Sequence, residues 1–471
     1  MSDPLPATTT SDLSPSPPDR SQDTEGGSPP RKRPRTRAPP RAATSSASAN
    51  AETPTFAPQP TSSGPPPVAT PSEVHRFSIQ PLNRFRGASA SIKRPREVAH
   101  FSYDNNHEYQ EDESGISYYI PPPLGADMKE GFESFRHYED KEDPHLDSLL
   151  QALASRERQE GREKKAQGDF VTWRGMMTKV RTNSSQIMTA PFDNFAEFSM
   201  FATLHDGTIY IEEDFPSRAA DRAAESSRPP QRNQHPDQQS REMMTYWGYK
   251  FETLSLIPTP PATTPREEIA KHQRSVVSNH AQHCSIVGTS FGPHSLILGG
   301  EVDGLLAPKP SDPETPIQWV ELKTSEELPP PHQQQHRDIM KFERKLLKFW
   351  AQSFLLGVPK IIVGFRSKSG ILRSLQTFNT HEIPGMVRRG TGVWDGNVCI
   401  NFATDFLGWL KETIKDEGVY SVVLRKKSGI VEVKKVKEGT GRILSEEFLN
   451  WRKQTDTKEN ADEPTSNEAN A

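Results

Sequence analysis

Two short apolar segments, about twenty residues apart, carry three acids and one lysine. The first contains Glu301 and Asp303, and the second contains Glu321 and Lys323. Side chains i and i+2 of an extended strand share a face, so each pair is predicted to point in one direction. If the two segments pair as strands, all four charges converge on one small volume. Mg²⁺ and Mn²⁺ prefer hard oxygen ligands, and a neighbouring lysine can hold a scissile phosphate or orient a water. The pattern therefore predicts metal-dependent phosphodiester cleavage, the chemistry of a nuclease.

Each part of this pattern has a simpler explanation when it is taken alone. An isolated Glu-x-Asp is usually a solvated strand face, and Glu321 with Lys323 could form an ion pair worth under about 1 kcal/mol. Three carboxylates gathered in one place repel one another, however, and burying them is costly unless cations compensate. The combination therefore favours metal binding.

The composition limits how much of the chain can fold. Of 471 residues, 43 are prolines and only 32% are hydrophobic, which is unusual for a globular protein. Residues 1–75 consist mainly of Pro, Ser, Thr and Ala and cannot bury enough apolar surface to offset chain entropy. We therefore predict a disordered tail over 1–75, one domain over 76–455 and a second disordered tail over 456–471. A polar stretch at about 215–240 is predicted to be a surface insertion.

Charge and cysteine content bear on partners and compartment. The net charge is −4 with histidines neutral, so any phosphate binding must be local. A basic cluster at 31–37 indicates a nuclear import signal or a nucleic-acid tether, although a solvated charge run is the simpler alternative. The N-terminus lacks an apolar leader and no apolar run approaches a membrane span, so we expect a soluble intracellular protein without a membrane partner. The import-signal interpretation of the basic cluster places it in the nucleus. Two cysteines, Cys284 and Cys399, form no disulfide framework and fit a reducing compartment.

Apolar spacing predicts the main elements. A packing helix is expected over 146–156, and a second over 337–356 that ends before Gly357 and Pro359. The second helix also has a polar stripe, which either faces a ligand or is ordinary solvated surface: Lys341, Lys345, Lys348 and Gln352. Strands are expected at 197–204, 207–212, 284–291, 295–305, 316–323, 360–366 and, as a pair, within 418–436.

Five short motifs occur in one order along about 95–450. They are Trp173-Arg174-Gly175, Gly248-Tyr249-Lys250-Phe251-Glu252, Gly300-Glu301-Val302-Asp303, Val320-Glu321-Leu322-Lys323-Thr324-Ser325 and Leu346-Leu347-Lys348-Phe349-Trp350-Ala351-Gln352-Ser353-Phe354. Together they resemble the DXO family of 5′-end decapping nucleases. Five motifs in family order are much more specific than a lone Glu-x-Lys. Fungal nuclear members of that family also bind and activate the nuclear 5′→3′ exoribonuclease.

The resemblance implies a fold, an activity and partners. The implied fold is mixed α/β (α+β), a PD-(D/E)xK-related nuclease core with mixed central sheets flanked by helices. The implied activity is hydrolysis of incomplete or non-standard RNA 5′ ends, namely an unmethylated cap, a 5′ triphosphate or an NAD cap, in nuclear RNA quality control. The implied cofactor is Mg²⁺ or Mn²⁺, with two ions, and the implied partners are RNA 5′ ends and the exoribonuclease.

The resemblance also assigns catalytic and metal-binding roles to individual residues by their position in the motifs. Lys323 and Gln352 match residues that lie against the scissile phosphate and the nucleophile. The expected metal ligands are Glu252, Glu301, Asp303, Glu321 and the backbone carbonyl of Leu322.

Other positions match substrate contacts. Trp173, Arg174 and Gly175 match a segment that contacts the RNA end, and Cys284 falls where the family has another contact. A free cysteine is at least as often a small buried residue, so both interpretations of Cys284 stay open. Cys399 is assigned to the core.

One position departs from the family pattern. Some members have an arginine on the segment after Phe-Ser, whereas this chain has His107. A histidine grips a phosphate less firmly than an arginine does. The sequence therefore leaves open whether the RNA body is degraded after the 5′ end has been removed.

Two other functions remain open. The chain could act chiefly as a non-catalytic subunit that stabilises the exoribonuclease, but the intact acids favour a hydrolase. A DNA nuclease of the same architecture is a weaker possibility.

Overall fold

The computed structural model describes residues 73–161, 168–178, 187–193, 196–227 and 239–459. All of them belong to one compact unit, Ala69–Ala471, whereas the preceding unit, Met1–Val68, lies outside the described residues. The predicted N-terminal tail up to residue 72, including its basic cluster, and residues 460–471 of the predicted C-terminal tail also lie outside them.

The described residues form sixteen strands. They are β1 Val74–Ser78, β2 Ile92–Tyr103, β3 Tyr109–Gln110, β4 Tyr118–Tyr119, β5 Phe170–Trp173, β6 Phe198–His205, β7 Thr208–Glu213, β8 Leu256–Ile257, β9 Gln282–Phe291, β10 His294–Glu301, β11 Gly304–Leu305, β12 Trp319–Glu326, β13 Lys360–Arg366, β14 Leu372–Asn379, β15 Val419–Leu424 and β16 Ile430–Lys437.

Two mixed sheets contain all of these strands. The larger sheet has ten strands in the order β1-β16-β15-β6-β7-β5-β10-β9-β2-β3, and the smaller has six in the order β14-β13-β12-β11-β4-β8. Strands β10, β5 and β7 run parallel to one another, so their carboxyl ends meet at one edge of the larger sheet. In the smaller sheet β12 runs parallel to β13.

Nine α-helices surround the sheets in the described part of the chain. They are α1 Asp147–Glu160, α2 Arg174–Thr178, α3 Phe215–Ser226, α4 Arg241–Ser255, α5 Arg266–Gln273, α6 His336–Leu355, α7 Ile383–Arg389, α8 Gly396–Thr413 and α9 Glu446–Glu459.

The helix termini show why several of these helices begin and end where they do. The Ser240 side chain accepts a hydrogen bond from Met243 N at the start of α4. Helix α6 begins with reciprocal side-chain and backbone bonds between Gln335 and Asp338, which satisfy donors that a helix start otherwise leaves unpaired. It ends before Gly357, whose φ of 71° is the left-handed conformation that favours glycine.

Three apolar clusters hold the layers together. The central cluster joins the larger sheet to α6, α8 and β13, through residues such as Leu298, Leu346 and Phe402. A second cluster packs α1 and α9 against the larger sheet, and a third packs α4 against the outer face of the smaller sheet. Central strands such as β10 and β13 alternate between two clusters, as a pleat buried on both faces requires.

The expected mixed α/β architecture with flanking helices is what the structure shows, and the expected helices and strands coincide with α1, α6, β6, β7, β9, β10, β12, β13, β15 and β16. Three boundaries differ in detail. Strand β1 starts at Val74 and α9 continues to Glu459, while the predicted polar insertion includes α3, and residues 228–238 within that insertion lie outside the described residues.

No helix in the described ranges is long and apolar enough to cross a membrane.

Candidate active site

The first acidic segment lies where the chain crosses from one sheet to the other. Strand β10 ends at Glu301, and after Val302 and Asp303 the chain enters β11 of the smaller sheet. Strand β11 pairs with β12, with Gly304 opposite Val320. The two segments therefore pair only just beyond the first acids, at Gly304 and Leu305, and Glu301 and Asp303 themselves are not in that ladder. Their acids converge because a two-residue crossover delivers Asp303 beside β12.

A short hydrogen bond ties this crossover to β12. Leu322 N donates to Asp303 Oδ2 at 2.6 Å. The N–H and C=O of one residue in a strand point to the same side, so the Leu322 carbonyl also faces the Asp303 side of β12. This is the orientation that the expected role of the carbonyl as a metal ligand requires.

Glu321 is the buried acid of the site, only 2% exposed. Its neighbours Val320 and Leu322 pack towards α4, so the alternation of β12 turns Glu321 and Lys323 to the opposite face. Lys323 Nζ lies 2.5 Å from Glu321 Oε1, and Arg174 Nη1 lies 3.5 Å from Glu321 Oε2. Among the described residues, Glu321 Oε2 has no hydrogen-bond partner.

Glu252 comes to the site from α4. The preceding residue, Phe251, lies so close to β13 that a Cβ on Gly364 would be 2.5 Å from its ring. This contact fixes α4 on the smaller sheet and places Glu252 near the other acids. Burial, together with the negative charges of Asp303 and Glu301, raises the pKa of Glu252 well above its usual value.

The same neighbouring charges also shift the pKa values of the other ionisable groups at the site. Burial and the Glu321 carboxylate raise the pKa of Asp303. Burial also disfavours charge on Glu321, but Lys323 and Arg174 outweigh it and lower the pKa of that carboxyl. Burial opposes protonation of Lys323, yet Glu321 and Asp303 raise the pKa of its ammonium. Four acids, Glu252, Glu301, Asp303 and Glu321, therefore interact electrostatically with one lysine and one arginine.

These residues fit a divalent cation. The donors are carboxylate and carbonyl oxygens, which Mg²⁺ and Mn²⁺ prefer. The buried Glu321 Oε2 lacks a hydrogen bond, and burial together with the neighbouring carboxylates raises the pKa values of Glu252 and Asp303, a cost that a bound cation would offset.

Compact groups of potential ligand atoms, all within 4.8 Å of one another, occur at two other places in the described residues: Glu97–His100–Glu113 and Asp143–His145–Glu212. The acids of the predicted site do not form such a compact group in the described residues, and the oxygens of Glu321 and Asp303 contact Lys323, Arg174 and the Leu322 amide. The first of the two groups is already bridged by Lys309, whose Nζ lies 2.8 Å from both Glu97 and Glu113.

Helix α6 covers the end of β10 at a point where only glycine fits. A Cβ on Gly300 would lie 2.9 Å from Leu356 Cδ1 and 3.1 Å from Arg174 Cβ. Leu356 is the C-cap residue of α6, and Gln352 lies one turn earlier on the same face. Helix periodicity therefore places the half-buried Gln352 on the same face of α6 as Leu356, and its expected contact with the reacting groups stays a prediction.

The Trp173-Arg174-Gly175 motif marks the transition from β5 to α2. Arg174 is brought to Glu321, a contact that its expected role at the RNA end did not include. Trp173 lies against Gly299, and its Nε1 donates to the His145 carbonyl at 3.2 Å. Gly175 is half-buried in α2.

Both cysteines are buried. Cys284 is 4% exposed, and it lies opposite Glu301 in the β9–β10 ladder. Its side chain packs in the second apolar cluster, which includes residues of α1. Burial raises the pKa of its thiol, so it stays neutral beside Glu301. The structure therefore favours packing over substrate contact for Cys284, and it places Cys399 in the central core as expected.

His107 closes a turn in place of the arginine found in some family members. Its ring is stacked between Tyr103 and Tyr138, with centroids 4.0 and 3.7 Å away. Its Nδ1 lies 2.8 Å from the His280 carbonyl, and its φ is 65°. Both ring faces and one nitrogen are therefore engaged within the protein.

Sequence reasoning missed a group that supports Trp173. His145 Nδ1 lies 3.0 Å from Glu212 Oε2 and 3.7 Å from Asp143 Oδ2, while its carbonyl holds the Trp173 indole. Glu212 follows Ile211, which pairs with Thr172 across parallel strands β7 and β5. No local spacing connects His145 with Glu212, because only the strand order brings them together.

Acids, a lysine and an arginine come together where the two mixed sheets meet. This combination of fold and site is that of a metal-dependent nuclease. Residues 93–449 match the family model described as RAI1 like PD-(D/E)XK nuclease. The chain belongs to this family.

Curated relatives cover most of the chain. A Decapping nuclease RAI1 from Emericella nidulans is 47% identical over 381 residues, which is 80% of this chain and 99% of the relative. The Decapping and exoribonuclease protein of Xenopus laevis is 33% identical over 367 residues, or 74% of this chain and 83% of the relative.

Solved structures agree. Candida albicans Rai1 in complex with pU5-Mn²⁺ matches with a TM-score of 0.71 at 28% identity, covering 81% of this chain and all of the other. Rai1 from S. pombe in complex with 3′-FADP matches with a TM-score of 0.59 at 30% identity, covering 77% of this chain and 100% of the other.

These comparisons confirm the predicted family, the nuclease fold and the enzyme class, a metal-dependent decapping nuclease. They also support a divalent cation as its cofactor. The roles of individual site residues stay predictions.

Proposed function

We propose that this protein hydrolyses incomplete or non-standard RNA 5′ ends, including a 5′ triphosphate, an unmethylated cap and an NAD cap. The observation that carries the proposal is the convergence of Glu252, Asp303 and Glu321 around Lys323, in a chain that belongs to a decapping-nuclease family.

The protein's own groups have distinct parts in this chemistry. The groups that would hold a divalent cation are Glu252, Glu301, Asp303, Glu321 and the Leu322 carbonyl. When bound, the cation polarises a water and stabilises charge on the leaving oxygen. Lys323, held protonated by Glu321 and Asp303, neutralises charge on the attacked phosphate. Gln352 orients the nucleophile.

Arg174 supplies a second cation at the site. Its side chain is 13% exposed and its Nη1 has no hydrogen-bond partner among the described residues. A phosphate oxygen can accept a hydrogen bond from this guanidinium, which the ion pair of Nη1 with Glu321 Oε2 at 3.5 Å keeps at the site. Trp173 and Gly175 shape the wall beside it.

The ligands of related structures support this substrate class. The Candida albicans relative binds a 5′-phosphorylated oligouridylate with Mn²⁺, and the S. pombe relative binds 3′-FADP. A Scheffersomyces stipitis relative binds 3′-NADP⁺ with calcium. An RNA 5′ end and a dinucleotide-type cap are both compatible with a site built on phosphate recognition.

We further propose that the protein acts in the nucleus and binds and activates a nuclear 5′→3′ exoribonuclease. The basic cluster at 31–37 and the resemblance to fungal nuclear members support this proposal. The alternative, a mainly non-catalytic stabilising subunit, is disfavoured because the acids, Lys323 and Arg174 are all present and assembled.

The test is hydrolysis of matched RNAs that differ only at the 5′ end. Purified protein with Mn²⁺ or Mg²⁺ is expected to act on triphosphate, unmethylated-cap and NAD-capped RNA, and Glu321→Gln is expected to be inactive. Chromatography of the released 5′ products identifies the bond that is cut. Absence of turnover on all three RNAs would contradict the proposal.

Two additional arms separate the alternatives. The subunit alternative would hold if the wild-type protein hydrolysed none of these RNAs, and if wild type and Glu321→Gln stabilised a purified exoribonuclease to the same extent. Faster cleavage of a matched single-stranded DNA would identify a DNA nuclease instead.

A further inference from the structure

Trp173 is fixed at two points just before the arginine of the active site. Its ring lies against β10, where a Cβ on Gly299 would be 3.0 Å from Cε3 and Cζ3. Its Nε1 donates to the His145 carbonyl at 3.2 Å. Arg174, the next residue, begins α2, and its Nη1 lies 3.5 Å from Glu321 Oε2. The orientation of the indole therefore bears directly on where the guanidinium lies.

The strand register places Glu212 beside Trp173. Val171 of β5 lies opposite Tyr210 of the parallel strand β7, and both pack in the second apolar cluster with residues of α1. Trp173 and Glu212 follow them by two residues and therefore face the same side of the sheet. Only 6% of the Glu212 side chain is exposed, so its carboxyl group needs a polar partner on that face.

His145 joins this carboxyl group to the indole. Its Nδ1 lies 3.0 Å from Glu212 Oε2, and its carbonyl accepts the Trp173 N–H. Its own N–H donates to Asp143 Oδ1 at 3.0 Å, and its φ of 46° lies in the left-handed region, which is uncommon for residues other than glycine. Such a conformation persists only where surrounding contacts hold it. The contacts with Glu212 and Asp143 therefore determine where the His145 carbonyl points.

We propose that Glu212 and His145 are positioning residues for the RNA 5′ end and act through Trp173. The carboxyl group orients the histidine ring, the left-handed turn directs the histidine carbonyl, and the carbonyl fixes the indole. The indole in turn holds Arg174 where a phosphate oxygen reaches the guanidinium. Loss of one link leaves the expected metal ligands and Lys323 in place, but it loosens the phosphate contact. The inference rests on the proposed function, since it needs a 5′-end phosphate at the arginine.

The test is a double-mutant cycle on hydrolysis of a 5′-triphosphate oligouridylate with Mn²⁺. Glu212→Leu replaces the carboxyl group by an apolar side chain, and Trp173→Phe keeps an aromatic ring but removes the N–H. Each is expected to lower kcat/KM roughly tenfold. Because both break one path, the double variant should be no worse than the more affected single variant. Glu212→Gln, whose amide oxygen can still accept a hydrogen bond from the His145 ring, should keep most of the wild-type kcat/KM.

A spectroscopic measurement separates positioning from a merely structural role. The indole N–H resonance of Trp173, identified by its loss in Trp173→Phe, should shift in Glu212→Leu and stay in place in Glu212→Gln. Glu213→Leu is the matched control, because Glu213 faces the other side of β7, where Arg218 Nη1 lies 2.7 Å from its carboxylate. The control should leave both the resonance and kcat/KM unchanged.

Melting temperatures show whether each variant is folded. If Glu212→Leu does not fold, His145→Gly takes its place in the cycle, because glycine adopts the left-handed conformation without a ring to anchor. The proposal is overturned if Glu212→Leu behaves as Glu213→Leu does, if the indole resonance does not shift, or if the effects of the two single variants simply add.

Failure of the proposed function is a different result, namely a wild type that does not hydrolyse the RNA. In that case, fluorescence anisotropy of a labelled 5′-monophosphate octamer with Ca²⁺ replaces kcat/KM in the same cycle. Weaker binding by Glu212→Leu than by Glu213→Leu supports the positioning role, and equal binding refutes it.

Discussion

The acids of the site differ in what each carboxylate does for the folded chain. Glu321 is buried between Lys323 and Arg174, and Asp303 accepts the Leu322 amide, so removing either would leave partners unsatisfied. Glu301 is exposed at the end of β10 and raises the pKa of Glu252. It is the acid whose removal best separates catalysis from folding.

We expect Glu301→Ala to abolish 5′-end hydrolysis while leaving the fold intact. Removing one of several mutually repelling carboxylates should keep the melting temperature in EDTA unchanged or raise it slightly. Steady-state assays at saturating Mn²⁺ and thermal melts measure the two effects. Near-normal turnover would show that Glu301 is not a metal ligand.

Glu212 should make stability depend on pH. Burial raises the pKa of Glu212 to about 7, against the opposing effect of His145, with Asp143 and Asp147 adding to the rise. An acid with a raised pKa in the folded state contributes stability that is fully present below its unfolded value. That contribution is lost as the pH rises through about 7.

The melting temperature of Glu212→Gln should therefore fall less than that of wild type between pH 5 and pH 8. Glu417→Gln, at an exposed position, is the matched control and should follow wild type. Parallel melting curves for wild type and Glu212→Gln across this range would refute the assignment.

At the level of elements, the site depends on how closely α6 and α2 approach β10. Gly300→Ala places a Cβ 2.9 Å from Leu356 and 3.1 Å from Arg174. We expect this change to destabilise the protein by about 1–3 kcal/mol and to lower turnover by displacing Arg174. Gly248→Ala on α4, where nothing lies within 4 Å of the added Cβ, should be neutral or stabilising. Equal effects of the two substitutions in denaturant unfolding would contradict the close approach.

Gln352 and the lysines of α6 should give different kinetic signatures. Gln352→Ala is expected to lower kcat on short and long RNA alike, because Gln352 lies one turn from the contact with Gly300. The lysines should matter for long RNA alone. A Gln352→Ala enzyme with normal kcat on a dinucleotide substrate would remove this residue from the reacting groups.

At the scale of the whole molecule, location and catalysis should separate. The composition of residues 1–70 predicts no contribution to the core, so deleting them should leave hydrolysis in vitro nearly unchanged. The deletion also removes the basic cluster at 31–37, and we expect loss of nuclear accumulation. Microscopy of tagged full-length and truncated protein tests this, and a truncated protein that stays nuclear without its partner would rule out the import signal.

Local periodicity accounts for what the sequence predicted well. The alternation of Val320, Glu321, Leu322 and Lys323 separates an apolar face from a charged one, and α6 has an apolar face beside its polar stripe. Such patterns follow from backbone geometry over a few residues, so they determine which side chains share a face. Five motifs in family order then indicated the nuclease class.

Tertiary structure decided which faces meet. The segment of Glu301 and Asp303 divides between two sheets, and a two-residue crossover, rather than one shared ladder, brings Asp303 to the strand of Glu321 and Lys323. The ion pair of Arg174 with Glu321, and the contact of His145 with Glu212, join residues far apart in the chain. Strand order and sheet packing set such contacts through burial and register across the whole domain, and no local spacing encodes them.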